Sequence, residues 1–185
     1  MNTFINKKKP SMQKIMMNKL VQYVIMNKDC INTEPFEIIL QEFIKKKNLD
    51  INQNTLDGYS IVDIVIDKGN VNMLSSLIKF GANINLFNKE GWAPIHVAAA
   101  YGKHDVIKLL VESGINVNLQ NLYGNSPLHV ASYCGHAQSI KCLLKYGANI
   151  YLKNSLHETP IDVAQRLKKP NCKNLLAKYE SITVY

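Results

Sequence analysis

The sequence predicts an all-α solenoid, in which short helix pairs stack side by side along one axis. Glycines recur with a spacing of 33 residues in three independent series: Gly58, Gly91 and Gly124; Gly69, Gly102 and Gly135; and Gly81, Gly114 and Gly147. Between these glycines, apolar residues recur at helical spacing. A single unit is too small to bury its own apolar face, so stacked neighbours must form the core. We therefore expect about four to five units, with an atypical unit at each end.

One unit, at residues 88–120, shows the pattern that each repeat follows. Pro94 opens a first short helix made of small apolar residues, and Gly102 ends it. Asp105 then opens a second helix with a buried stripe of Val, Ile and Leu, and Gly114 ends that helix. The following segment is extended and then turns, which predicts a hairpin-like loop to the next unit. Each unit is therefore a helix–turn–helix with a projecting loop.

The two central units carry motifs of a known family. The stretches "NKEGWAPIHVAAAYGKHDVIKLLVESGINVNLQ" and "NLYGNSPLHVASYCGHAQSIKCLLKYGANIYLK" resemble ankyrin repeats in their length, their A/S-P-I/L-H tetrapeptide and their G-A/I-N-x-N tail. The resemblance covers residues 49–180 well and the N-terminal segment only partly. It implies a concave scaffold for protein recognition, in which the motif residues are structural: Pro94, His96, Pro127, His129, Gly91, Gly102, Gly124 and Gly135.

The expected organisation is a capped array. Residues 1–54 form an N-terminal tail, an amphipathic helix and a capping repeat; residues 55–87, 88–120 and 121–153 are ankyrin repeats; residues 154–185 are a C-terminal capping repeat and tail. The N-terminal helix, at about 11–27, is interpreted as a cap, because an end unit needs one polar outer face. An alternative is a Met-rich helix that docks on a partner or a membrane.

The outer repeats depart from the motif at its histidine. Residues 60–63 are Ser-Ile-Val-Asp, so Asp63 stands at the histidine position of the first full repeat. The last unit keeps Thr159-Pro160-Ile161 but has Asp162 there, and His157 replaces its turn glycine. Histidine is among the few residues tolerated at positive φ, which makes that replacement compatible with the turn.

None of the histidines or cysteines predicts catalysis, a cofactor or a metal site. The resemblance implies that His96 and His129 hydrogen-bond to backbone, and stacked helices about 8–10 Å apart hold two such rings too far apart to share a zinc. His104 and His136 are expected to be turn and surface residues. No G-x-S-x-G elbow or phosphate loop is present, so we expect a protein that is not an enzyme.

The charge of the chain comes almost wholly from lysine. The net charge is +8, and Arg166 is the only arginine. Lysine is a point charge that lacks the fork with which arginine clamps phosphate or reads guanine, so nucleic acid or membrane is not the expected partner. The alternative is an electrostatic binder of nucleic acid or anionic membrane that acts through Lys7–Lys9 and Lys45–Lys47.

The cysteines and the N-terminus predict a location. Cys30, Cys134, Cys142 and Cys172 have no C-x-x-C spacing, which favours free thiols in a reducing compartment. The N-terminus lacks the apolar core of a secretory signal. We expect a cytoplasmic monomer, with a nuclear location open. A further alternative is a secreted effector of an intracellular microbe or virus that acts on a host protein.

The resemblance also implies where a protein partner would bind, namely at the loop tips and on the exposed face of each first helix. The tip positions include Leu56, Asp57, Ser155, Leu156 and Glu158, and the helix-face positions include Asp67, Lys68, Ala100, Cys134 and Leu167. The predicted partner-binding residues are Tyr59, Lys89, Glu90, Trp92, Tyr101, Leu122, Tyr123, Asn125, Tyr133 and Arg166. Tyr and Trp are enriched in binding hot spots, which supports a partner surface.

A second kind of site follows from the resemblance alone. Asn85 and Asn118 occupy the loop asparagine that asparaginyl hydroxylases modify in ankyrin proteins. Both are therefore candidates for hydroxylation.

Overall fold

A computed structural model describes residues 11–27, 34–55 and 58–183, and every regular element in these ranges is helical. The helices are α1 (Met12–Met26), α2 (Glu34–Gln41), α3 (Ile61–Lys68), α4 (Val71–Lys79), α5 (Pro94–Ala100), α6 (His104–Glu112), α7 (Pro127–Cys134), α8 (Ala137–Lys145), α9 (Pro160–Arg166) and α10 (Pro170–Thr183). A π-helical turn, Glu42–Lys46, extends α2. The predicted all-α solenoid is confirmed.

The helices form two layers. The first helices of the units, α1, α3, α5, α7 and α9, pack against one another in chain order. The second helices, α2, α4, α6, α8 and α10, do the same, and the core lies between the layers. Fully buried leucines repeat along this core, at Leu20, Leu40, Leu77, Leu110 and Leu143. No unit could bury these side chains alone, which is why stacking and folding are one process here.

Prolines and small side chains shape the layer of first helices. Pro94, Pro127 and Pro160 each begin a first helix, where the missing N–H costs no intrahelical bond. Ala98 and Ala99 are fully buried, and their small side chains let α5 approach both of its neighbours closely. The first helices therefore pack as one continuous row.

The N-terminal helix is docked on the array. Met17, Leu20 and Val24 of α1 are fully buried, and α1 packs against α3. The Gln13 side chain fixes the end of the helix, because its Nε2 atom donates to the Asn48 carbonyl oxygen at 2.7 Å and its Oε1 atom accepts from the Asp50 N–H at 3.1 Å. Residues 1–10, with Lys7–Lys9, lie outside the described residues.

Two local predictions can be compared with the backbone. Helix α6 begins at His104, one residue before the predicted Asp105, and its N-cap residue is Lys103, which makes no capping bond through its side chain. His157 has a φ of 59°, so the prediction that it replaces a turn glycine in the left-handed region is confirmed. None of the described helices is long and apolar enough to span a membrane.

Candidate functional site

The tips of the projecting loops share one hydrogen-bond pattern, which recurs every 33 residues. Thr55, Asn88, Asn121 and Asn154 each begin a tip, and each donates its backbone N–H to the carbonyl oxygen four residues later, at 2.9–3.0 Å. The side-chain oxygen of Asn88 also accepts from the N–H groups of Glu90 and Trp92, both at 3.0 Å. These first residues therefore hold the tip backbone in place. Sequence analysis missed them, although the recurring asparagine was visible beside the glycine series.

Adjacent tips are also in contact with each other. The Ser155 N–H donates to the Tyr123 carbonyl oxygen at 3.0 Å. Gly124, at a φ of 69°, lies so close to the next tip that a Cβ atom would meet the Ser155 nitrogen at 2.9 Å. At the preceding pair of tips, the Leu122 side chain packs against Gly91. Successive tips therefore stack on one another.

His96 joins its own helix to the following unit. Its Nδ1 atom accepts from the Ala93 N–H at 3.2 Å, which leaves the hydrogen on Nε2. Nε2 then donates to the carbonyl oxygens of Leu119 and Asn125, at 2.9 and 3.0 Å. Burial lowers the pKa of His96, so the neutral form that this arrangement needs is favoured. The bonds run to backbone, as the resemblance implies.

His136 corrects a prediction. It lies in the turn before α8, as expected, but it is half-buried rather than exposed, and its Nε2 atom donates to the Ala100 carbonyl oxygen of the preceding unit at 2.9 Å. Its ring also lies against Gly102, where a Cβ atom would meet Nδ1 at 2.8 Å. His136 therefore bridges two repeats. His104 is exposed, and its Nε2 atom lies 3.6 Å from the Asp105 carboxylate.

Among the described residues, the carboxyl groups of the two aspartates at the histidine position hydrogen-bond only within their own turns. The Asp162 carboxylate accepts from the N–H and hydroxyl of Thr159, at 2.9 and 2.6 Å, and the hydroxyl bond lowers its pKa. The Asp63 carboxyl bonds to Ser60, and its burial raises its pKa. A carboxylate has no hydrogen to give to the next tip. The junction between residues 55–87 and 88–120 therefore lacks the bridge that His96 makes further along.

A groove crosses this junction. It has a volume of about 660 Å³, and three sets of residues form it: the α1 residues Asn18, Val21, Gln22 and Ile25; the tip residues Thr55, Tyr59, Asn88, Glu90 and Trp92; and the first-helix residues Asp63, Ile64, Asp67, Lys68, Val97, Ala100 and Tyr101. Of the predicted partner-binding residues, it gathers Tyr59, Glu90, Trp92 and Tyr101. Sequence analysis missed the α1 wall, because α1 has no counterpart in the repeat motif that would show its orientation.

The aromatic side chains of the groove differ in exposure. Tyr59 is 59% exposed and Tyr101 is 52% exposed. Trp92 is half-buried, and its ring lies edge-on to His96 with the ring centroids 6.4 Å apart. The tyrosines are therefore available to a partner, while Trp92 also has a packing role.

The other predicted partner-binding residues lie outside the groove. Lys89 and Leu122 cover Gly58 and Gly91, while Tyr123 and Tyr133 are exposed on the tip and helix face further along. The Asn125 Oδ1 atom accepts from Asn154 Nδ2 at 3.0 Å, so this side chain is engaged within the protein. Leu56 and Asp57 lie outside the described residues.

Arg166 is also engaged within the protein. Its guanidinium forms a fork with Glu158, in which Nη2 donates to Oε2 at 2.9 Å. This pairing raises the pKa of Arg166 and lowers the pKa of Glu158. A partner would have to compete with Glu158 for this arginine.

The two hydroxylation candidates differ in their surroundings. The Asn118 Oδ1 atom accepts from the Asn149 N–H at 2.7 Å, and its Nδ2 atom donates to the Gly147 carbonyl oxygen at 3.4 Å. This side chain ties two repeats together. Asn85 is exposed, and its backbone N–H donates to Asn83 Oδ1 at 2.9 Å. Hydroxylation at either residue stays a prediction.

The described residues contain no group of three or more His, Cys, Asp or Glu side chains placed to hold a metal ion.

Residues 61–104 and 95–144 match a family model for ankyrin repeats, which occur in many copies. No curated protein matches the chain. The matched residues begin at the first residue of α3 and end one residue before the end of α8, so they cover three consecutive helix pairs of the stack. The chain therefore contains ankyrin repeats at residues 61–144.

Proposed function

We propose that the protein is a non-catalytic recognition module, an adaptor, scaffold or inhibitor, that binds a protein partner in the groove between α1, α3 and α5. Ankyrin repeats are generally modules of protein–protein interaction. The observation that carries the proposal is the convergence of Tyr59, Trp92 and Tyr101 in one groove of about 660 Å³. Large aromatic side chains in a concave surface are characteristic binding anchors.

The scaffold supports this role by limiting the entropy lost on binding. The Asn88 side chain fixes the backbone of the tip that carries Glu90 and Trp92. Tyr101 follows directly on α5, whose buried face is packed on both sides. Groups that are already ordered lose little conformational freedom when a partner docks.

A comparative capture experiment tests the proposal. The full chain and the variant Tyr59→Ala/Tyr101→Ala would be used to capture proteins from the native cell. A second variant, Tyr151→Ala, removes an exposed tyrosine that does not line the groove, and serves as the control. We expect the groove variant to lose partners that the wild type and the control retain. Retention of every partner by the groove variant, with its helical content unchanged, would disprove the proposal.

The electrostatic alternative has less support among the described residues. Lys47 pairs with Glu42 at 3.1 Å and lies 4.7 Å from the centre of the Phe43 ring, while Lys45 and Lys46 are exposed. Binding that collapses between low and moderate salt, and is unchanged in Tyr59→Ala/Tyr101→Ala, would favour this alternative.

The proposal includes a cytoplasmic or nuclear location. It is supported by the free thiols of Cys134, Cys142 and Cys172. Imaging of the tagged chain in its native cell tests the location, and a secreted or surface-bound chain would contradict it.

A further inference from the structure

The groove has a charge opposite to that of the whole protein. The chain carries a net charge of +8. The groove, in contrast, is lined by three acidic residues, Asp63, Asp67 and Glu90, and one basic residue, Lys68, which gives −3 + 1 = −2. The Lys68 Nζ atom lies 2.6 Å from Asp67 Oδ2, so this pair is locally neutral. Asp63 and Glu90 remain as the negative groups of the groove.

Asp63 is the acid that the groove wall surrounds most closely. It is half-buried in the first turn of α3, while Glu90 lies on an exposed tip. Its carboxyl bonds to Ser60, and its burial, which leaves the ionised form poorly solvated, raises its pKa. A carboxylate offers about four acceptor sites, so the bonds to Ser60 leave acceptor capacity. A cation that entered the groove would stabilise the ionised form.

The aromatic residues of the groove favour the same kind of ligand. Tyr59, Trp92 and Tyr101 line the same groove as Asp63 and Glu90. The face of an aromatic ring attracts a lysine or arginine side chain, and the attraction grows when the cation is shielded from water. Carboxylates and aromatic rings in one groove therefore select for a positive charge through two separate interactions.

We propose that the occupant of the groove is a basic segment of the partner protein, which places a lysine or arginine side chain among Tyr59, Trp92 and Tyr101 and close to Asp63. This inference rests on the proposed function, because it concerns the same groove. An acidic segment would meet like charges at Asp63 and Glu90. A purely apolar segment would remove water from the Asp63 carboxylate without replacing its interactions.

Peptide pools of defined composition test this inference. Five pools would share randomised flanking positions and carry a fixed central residue, which is Arg, Lys, Gln, Leu or Glu. The quantity measured is the fraction of each pool that the immobilised full chain retains. We expect the Arg and Lys pools to be retained at least about threefold more than the other pools, and the preference to fall as salt is added.

A matched pair of variants assigns the preference to Asp63. Asp63→Asn removes the charge with little change in shape, and Asp105→Asn makes the same change on the exposed surface of α6. Asp63→Asn should abolish the preference for the Arg and Lys pools over the Gln pool, and Asp105→Asn should retain it. Glu90→Gln, on an exposed tip, should weaken the preference. It also provides a second test if Asp63→Asn fails to fold.

The outcomes separate this inference from the proposed function. If the Gln, Leu or Glu pools bind as well as the basic pools, the inference is wrong, while loss of that binding in Tyr59→Ala/Tyr101→Ala still supports a recognition groove. If no pool is retained, the inference is also wrong, and the capture experiment alone decides the proposed function. A dimer in sedimentation equilibrium that Tyr59→Ala/Tyr101→Ala dissociates would identify a second copy of the chain as the occupant, and would overturn the inference.

Discussion

His129 hydrogen-bonds to the backbone of Glu158 in the next tip, with its Nε2 atom 3.0 Å from the Glu158 carbonyl oxygen. On the other side of the ring, Nδ1 accepts from the Ser126 N–H at 3.1 Å. Only a neutral imidazole can accept at one nitrogen and donate at the other. Burial lowers the pKa of His129, as it does for His96. The bonds that His96 and His129 accept at Nδ1 therefore depend on rings that stay unprotonated.

Acid should weaken the array through these two rings. Below the ordinary histidine pKa of 6.5, the unfolded chain takes up protons on His96 and His129 that the folded chain does not bind. The free energy of unfolding is therefore highest above pH 6.5 and falls as the pH drops, by up to about 1.4 kcal/mol per pH unit for each ring.

Urea unfolding at about pH 7.5 and about pH 5.5 measures this loss. His129→Gln removes one of the titrating groups, so its unfolding free energy should change less between the two pH values. His104→Gln removes an exposed histidine and is the control. Equal pH dependence in wild type and His129→Gln would contradict the role of His129.

Gly124→Ala should be more destabilising than an alanine at a glycine with open space around it. Gly124 and Gly147 have φ values of 69° and 80°, so each substitution strains the backbone by about 1–2 kcal/mol. At Gly124 the new Cβ atom also meets backbone atoms of Asn154 and Ser155, whereas nothing lies within 4 Å of a Cβ atom at Gly147.

The collision at Gly124 should add roughly 1–3 kcal/mol to the loss of unfolding free energy. The difference between Gly124→Ala and Gly147→Ala in urea unfolding gives this contribution directly, since the strain is common to both. If the two variants lose the same unfolding free energy, a Cβ atom at Gly124 does not collide with the next tip.

Asn88→Ala should loosen the tip that carries Trp92. Trp92 is the only tryptophan of the chain, so its fluorescence reports on this tip. The substitution removes the oxygen that accepts from the N–H groups of Glu90 and Trp92, and should cost about 1–2 kcal/mol of unfolding free energy. We expect greater quenching of Trp92 by acrylamide in the folded protein.

Two variants control the fluorescence measurement. Asn88→Asp keeps an acceptor oxygen at this position and should leave the quenching of Trp92 close to that of the wild type. Asn121→Ala removes the matching oxygen of the next tip, which accepts from the N–H groups of Tyr123 and Asn125. It should lower stability without changing Trp92. Greater quenching in Asn121→Ala than in Asn88→Ala would argue against a local role for Asn88.

Leu20→Ala should destabilise the N-terminal unit strongly. Leu20 is fully buried beneath α1, so its truncation should cost about 2–5 kcal/mol. Met12→Ala, on the same helix, changes a side chain that is 69% exposed and should alter the free energy of unfolding by less than about 0.5 kcal/mol. Chemical unfolding monitored by circular dichroism measures both values. Similar effects of the two variants would mean that α1 is not packed as a cap.

The repeated parts of the fold could be predicted from the sequence, because they are specified by local patterns. The helix pairs follow from apolar spacing, and the positive φ of His157 follows from its place in the glycine series. The wall that α1 adds to the groove could not be predicted, because α1 is outside the repeated pattern and its facing residues depend on packing.

The individual partner-binding residues were harder to predict for the same reason. Their positions within the 33-residue repeat showed that Tyr59, Trp92 and Tyr101 belong to tips and helix faces, and these three residues do meet in the groove. Register could not show that Arg166 pairs with Glu158, or that Asn125 bonds to Asn154, because these pairings depend on side-chain rotamers. The bridge from His136 to Ala100 was missed because a residue beside a turn is usually exposed.

The aspartate at position 63 also affects how the first two full repeats are joined. His96 and His129 hydrogen-bond their units to the following tips, whereas Asp63 makes no such bond from residues 55–87 to the tip that follows. The groove lies across the junction between residues 55–87 and 88–120, with α1 and α3 on one side and α5 with the Trp92 tip on the other. A ligand in the groove would touch both sides of this junction at once, so its binding energy would add to the packing of α3 against α5 at the place where no histidine bridge contributes.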